Sequence, residues 1–170
     1  MSLLIINTLP IEDEQVKQAI KDLTYNQKEF KLINTLGKDI RYCVGCYHCW
    51  LKTPGVCSIK DDHEEVLSSY VQYENIVYIS DTSFGFINSE TKRIVDRILP
   101  LQTFVTQYKD GETRKCQRYV KNYRFGVLYR GTGDEAYLNQ WLSRFSSHIG
   151  GSSIGAFSIS NAKEMSLCIL

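Results

Sequence analysis

The stretch Asn75–Asp81, "NIVYISD", decides the fold. Ile76, Val77, Tyr78 and Ile79 form an apolar run with no polar alternation. Such a run suits a strand buried on both faces, and strands of that kind belong to parallel sheets covered by helices on each side. Upstream, "DDHEEVLSSYVQ" reads as a helix opened by the N-cap residues Asp61 and Asp62. Downstream, "SETKRIVDRILP" reads as a helix stopped near Pro100.

The same alternation extends to both ends. "SLLIIN", Ser2–Asn7, has strand length, and Ile11, Val16, Ala19, Ile20 and Leu23 follow at helical spacing. "EFKLINT", Glu29–Thr35, alternates as a second strand. "YRFGVLYRG" gives a fourth strand, "DEAYLNQWLSRFSSHIG" a helix ended by Gly150 and Gly151, and "SSIGAFSIS" a fifth strand. Strands joined by helices predict a doubly wound α/β domain with a parallel sheet, spanning residues 1–170 as one unit. Gln102–Phe125, polar, basic and aromatic, reads as a solvated connection.

Composition narrows the function. Of 170 residues, 43% are hydrophobic and 23% charged, as in a globular protein, and the net charge of +1 offers no field for nucleic acid or an anionic membrane. The first residues carry no basic region and too short an apolar run for a membrane span, so the cytoplasm is the expected location. In that compartment clustered cysteines serve as thiols, metal ligands or catalytic groups more often than as disulfides.

Ligands of doubly wound sheets bind beyond the carboxyl ends of the strands. The loops to watch therefore follow Asn7, Thr35, Asp81 and Arg130. After Asp81, Thr82 and Ser83 offer hydroxyls, Phe84 and Phe86 offer ring faces, and Gly85 permits close backbone approach. After Arg130 a second glycine-bearing loop, Gly131, Thr132 and Gly133, precedes a helix. After Thr35 comes "RYCVGCYHCWLKTPGVCSIKDD", with the spacing Cys43-x2-Cys46-x2-Cys49-x7-Cys57. Three closely spaced cysteines and a remote fourth match the layout that wraps a [4Fe–4S] cube. Zinc sites more often use two separated C-x2-C pairs. The bland alternative is a folded loop in which Cys43 and Cys46 flank a turn at Gly45 and Cys49 packs beside Trp50.

Three stretches, "CVGCYHCWLKTPGVCSIKDD", "SDTSFGFINSETKRIVDR" and "LYRGTGDE", together resemble the NADPH-dependent FMN reductase and iron–sulfur flavoprotein families. The resemblance implies a three-layer α/β/α flavodoxin-like fold with a five-stranded parallel sheet in the order 2-1-3-4-5. It implies FMN at the carboxyl edge, held by Asn7, Thr8, Thr82, Ser83, Phe84, Gly85, Phe86, Gly131, Thr132 and Gly133. It also implies electrons from NAD(P)H, a small-molecule or protein acceptor, and a homodimer or homotetramer. The alternative is an iron–sulfur flavoprotein carrying [4Fe–4S] on Cys43, Cys46, Cys49 and Cys57; a second alternative is a flavodoxin-like protein that has lost FMN. No nucleophile–base pair stands out, as expected where a cofactor carries the chemistry.

The first loop departs from the resembled pattern. It runs "NTLPIEDEQV", with no Gly or Ser and with Glu12, Asp13 and Glu14. A helix N-terminus favours an anion by about 0.3–1 kcal/mol. A carboxylate about 6 Å from a phosphate costs on the order of 2–3 kcal/mol per charge pair at an effective dielectric near 20. One acidic side chain facing the phosphate would cancel the helix contribution. Facing solvent, the three would only stabilise the start of their own helix.

Overall fold

The computed structural model describes residues 2–109 and 111–169. β1 (Ser2–Asn7) lies between β2 (Glu29–Asn34) and β3 (Asn75–Ser83), parallel to both. β7 (Arg124–Arg130) is parallel to β3, and β8 (Ser152–Ser158) closes the sheet beside β7. The order β2-β1-β3-β7-β8 is the expected 2-1-3-4-5 with sheet strands counted in sequence. A short β4 (Phe86–Ile87) folds back antiparallel on β3.

Both faces of the sheet are covered. Leu4, Ile6, Ile76 and Tyr78 point into one core with Val66 of α3 (His63–Gln72), Ile94 of α4 (Ser89–Val95), and Leu138 and Leu142 of α5 (Glu135–His148). Leu3, Ile5, Val77 and Ile79 point into the other, with Val16, Ala19 and Leu23 of α1 (Glu14–Thr24) and Met165 of α6 (Ala162–Cys168). The period of two along each strand thus divides one apolar run between two helical layers. Removing a Leu or Ile side chain from either core would cost about 2–5 kcal/mol.

Two segments differ from the sequence expectation. Gln102–Phe125 is not a plain solvated connection: β5 (Gln102–Lys109) and β6 (Glu112–Gln117) pair as an antiparallel hairpin outside the main sheet. β5 is mostly exposed and β6 mostly half-buried, so the polar, basic composition that suggested a loop belongs to a surface ribbon rather than to a lack of structure. The cysteine stretch contains a single helical turn, α2 (His48–Leu51).

Candidate functional site

The loops of the carboxyl edge meet as the topology requires. "SFGF" closes as a two-residue hairpin, with Ser83 opposite Phe86 and left-handed φ of 52° at Phe84 and 78° at Gly85. Positive φ at both central residues is the pattern of a type I′ turn, where Asn-Gly is the favoured pair and phenylalanine is strained. The Phe84 ring is fully exposed at the tip. Phe86 instead packs inward on Trp141, with ring centroids 5.0 Å apart. Gly85 bridges to Gly133, and Gly85 O accepts from the Asp134 amide at 3.0 Å. Side chains have no room at the second loop: a Cβ on Gly131 would sit 2.8 Å from Thr82 Oγ1, and one on Gly133 2.6 Å from the Tyr129 ring. Thr82 Oγ1 itself donates to Arg130 O. Ser83 and Thr132 are exposed.

The first loop is closed by its own side chains. Asn7 is fully buried, and its amide donates to Leu9 O and Asn34 Oδ1. Thr8 is buried too, its backbone N–H and hydroxyl both committed to Ile79 O. The start of α1 is capped by Asp13, whose carboxylate accepts from the amides of Gln15 and Val16. The same carboxylate binds Arg130 at 2.7 Å, and Arg130 binds Asp81 at 2.8 Å on its other side. The amides and cation that would meet a phosphate already meet a carboxylate, and the Asp13–Arg130–Asp81 group carries one net negative charge. This donor set does not fit the phosphate of FMN, although Asn7, Thr8, Thr82–Phe86 and Gly131–Gly133 do lie along one edge. The sequence reading used Asp81 and Arg130 only as strand ends and gave neither a role; their ion pairs with one another and with Asp13 join residues far apart in the chain.

The cysteine stretch is folded around one buried ion pair. Arg97, 2% exposed, follows α4 and binds Asp61 Oδ2 at 2.5 Å. Asp61 also accepts from the amides of Arg41 and His63. Burial would raise the Asp61 carboxyl, but the hydrogen bond from Arg97 and those amides outweigh it and hold it below the ordinary carboxylate range. Asp61 therefore ties the two ends of the loop together instead of capping α3 with Asp62, which forms no side-chain cap. Arg97 further donates to Arg41 O at 2.9 Å and reaches Cys57 Sγ at 3.5 Å. Trp50 anchors α2 by donating to Leu99 O at 2.8 Å.

Cys43, Cys46, Cys49 and Cys57 line one small apolar cavity, with Leu99, Pro100 and Arg97 completing its wall. Cys43 and Cys46 are exposed, Cys57 is half-buried and Cys49 is buried. Burial and the neighbouring cysteines push the Cys49 thiol up to about 11. The exposed Cys46 thiol is lowered by its hydrogen bond with Ser58. Among the described residues no three His, Cys, Asp or Glu side chains close on a single-ion position. A zinc ion would need its sulfurs about 4 Å apart, given bonds of about 2.3 Å. Thiolate is the donor that iron–sulfur clusters use, and four thiols border this one cavity.

The chain has the flavodoxin-like fold of the NAD(P)H-dependent FMN reductases and azoreductases. It superposes on an NAD(P)H:quinone oxidoreductase from Methanothermobacter marburgensis with a TM-score of 0.68, covering 98% of this chain and 97% of that one at 11% identity. It also superposes on an FMN-dependent NADH-azoreductase from Bacillus anthracis, in complex with FMN, with a TM-score of 0.54, covering 98% and 94% at 13% identity. In sequence it is similar to an iron-sulfur flavoprotein of Methanocaldococcus jannaschii, 30% identical over 87 residues. That match spans 51% of this chain and 44% of the relative, less than half of the relative's length. No protein-family model matches the sequence.

Proposed function

We propose that this protein is an electron-transfer oxidoreductase whose redox centre is the cysteine loop, with Cys43, Cys46, Cys49 and Cys57 holding a [4Fe–4S] cluster. The observation that carries this is the convergence of all four thiols on one apolar cavity. The iron–sulfur relative supports it, and so does the closed first loop, which moves the weight of function away from the flavin edge. When bound, the cluster supplies one-electron transfer. Arg97 holds the Cys57 sulfur in place, Cys49 supplies a shielded thiol on the inner wall, and the exposed Cys43 and Cys46 lie toward solvent, where a partner would dock.

A second reading is a flavin-dependent NAD(P)H oxidoreductase, cytoplasmic and dimeric or tetrameric, passing electrons to a small-molecule or protein acceptor. Phe84 favours it, since a strained and fully exposed ring at the sheet edge is a feature that folding alone does not require. Asp13 and Arg130 would have to part before FMN could seat its phosphate.

Anaerobic purification followed by iron, sulfide and flavin assays separates the two. Iron near four per chain with broad absorption in the visible blue supports the electron-transfer protein. FMN near one per chain without iron supports the reductase and makes the cysteines structural. Colourless protein that takes up neither iron and sulfide nor added FMN sinks both.

A further inference from the structure

The exposed apolar surface of this chain is gathered beside the cysteines. Val44, Tyr47, Leu51 and Val56 of the cysteine loop are exposed, and so are Phe104, Val105 and Tyr108 of β5. With Tyr42 they make up more than half of the large apolar side chains that the described residues show to solvent. Loop and hairpin adjoin one another. Lys115 of β6 lies over the Trp50 ring, 4.9 Å from its centroid, and its Nζ donates to Phe104 O at 2.9 Å. Exposed apolar side chains gathered in one region mark a surface that something covers.

Charge is gathered there too. Residues 41–60 hold Arg41, Lys52 and Lys60 and no Asp or Glu. Together with residues 102–121 they hold eight basic and two acidic residues, against twelve and seventeen in the rest of the chain. One of those two acids, Glu112, already faces Arg114, Arg144 and His148. The net charge of +1 averages over these two regions. A membrane, however, meets the local charge, because its surface potential falls off within a Debye length.

We propose that this face docks on an anionic lipid surface, with its apolar side chains at the boundary of headgroups and acyl chains and its lysines among the headgroups. Two observations favour lipid over a protein partner. Every residue of β5 from Phe104 to Lys109 is exposed, so both faces of that strand are open. A protein partner covers one face of a strand, whereas an interfacial layer surrounds both. The tyrosines and lysines also suit a membrane interface, where the phenol ring sits at headgroup level and a lysine stem lies along apolar surface while its amine reaches a phosphate. A second copy of the chain, meeting this face about a two-fold axis, would set the same basic residues against one another. The attachment is peripheral: among the described residues no helix is long and apolar enough to cross a membrane. It does not rest on the cluster, since none of its side chains is a cysteine.

The test is co-sedimentation of anaerobically purified protein with vesicles, iron content being scored separately so that loss of a cluster is not mistaken for loss of this face. The vesicles are phosphatidylcholine alone, and phosphatidylcholine and phosphatidylserine mixed about 2:1. Binding to the mixed vesicles is expected to be at least about tenfold tighter than to phosphatidylcholine alone, and to weaken as salt is added. Leu51→Asp combined with Val105→Asp, which leaves the four cysteines and Arg97 in place, is expected to lower that affinity at least about tenfold. Tyr25→Asp, at an exposed tyrosine on the end of α1 and outside this face, is expected to leave it unchanged. Absence of binding to the mixed vesicles at millimolar lipid, equal binding to both kinds, or full binding by the folded double variant would each overturn the proposal. So would a wild-type dimer that the double variant dissociates in lipid-free sedimentation velocity, which would assign the face to a second copy. Saturable binding of poly-L-glutamate in place of vesicles would overturn it as well, and would assign the face to an acidic protein.

Discussion

Arg97 and Asp61 form an ion pair with both side chains withdrawn from water, 2.5 Å apart, and the cysteine loop is tied to it at Arg41, Cys57 and Ile59. Breaking a buried pair by removing one partner leaves the other charge stranded. Arg97→Ala is therefore expected to destabilise the fold by about 3–5 kcal/mol in urea denaturation. Adding Asp61→Asn should return a substantial part of that loss. If the double variant is no more stable than the single, the stranded charge is not the cause.

Asp13 occupies the start of α1 where a flavin phosphate would sit. Wild-type protein should accordingly not prefer FMN over riboflavin. Asp13→Asn keeps a good N-cap residue but removes the charge and frees Arg130. Its FMN affinity is expected to rise at least about tenfold relative to riboflavin, since one carboxylate–phosphate pair costs on the order of 2–3 kcal/mol. Fluorescence-quenching titrations with both flavins measure the ratio, and an unchanged ratio would place the phosphate elsewhere.

His63 introduces acid sensitivity. It is fully buried at the start of α3, Nε2 bonds Ile94 O and Nδ1 has no partner. Burial, and then the nearby Arg97 charge, push its pKa down to about 4. The unfolded chain binds the proton near pH 6.5. The stability this group contributes is thus present above pH 6.5 and is lost as pH falls toward 4, by about 3 kcal/mol over that window. His63→Gln, which retains a donor for Ile94, should flatten the pH dependence of the urea midpoint between pH 6.5 and 4. An equally steep profile in the variant would assign the loss to other groups.

Phe84 sits at φ 52°, a conformation disfavoured for a side chain of its size. Phe84→Asn suits the first central position of a type I′ turn and is expected to stabilise the protein by about 1 kcal/mol, raising Tm by about 2–4 °C. A lower Tm would show that the exposed ring is held by contacts worth more than its backbone strain.

The cysteines should differ in reactivity when free of iron. Exposure and a lowered thiol pKa at Cys46, against burial and a pKa of about 11 at Cys49, predict that iodoacetamide modifies Cys46 more than about tenfold faster at pH 8. Peptide mass spectrometry over a time course reads the order directly. Equal rates would mean that the loop opens before it reacts.

Much of the architecture was legible before any coordinates. "SLLIIN" and "NIVYISD" declare buried strands because each is an unbroken apolar run of strand length, and β1 begins and ends where the sequence says. The hairpin β5–β6 was not legible as structure, because a surface ribbon carries the same polar residues as a loop. The carboxyl-edge loops were found by position, but what they do to one another was not. Asp13 and Arg130 are 117 residues apart, and nothing local to "IEDE" says whether its carboxylates face water or a guanidinium.

The sequence by itself determined the alternation of strands and helices, the parallel sheet and the cysteine spacing, since hydrophobic period and residue type are local properties. Only the tertiary structure decided that Arg97 reaches Cys57, that four thiols share one cavity, and that the Asp13 carboxylate caps α1 while binding Arg130. Those outcomes depend on which distant loops the sheet order brings within a few ångströms, where a charge interacts through protein rather than through water.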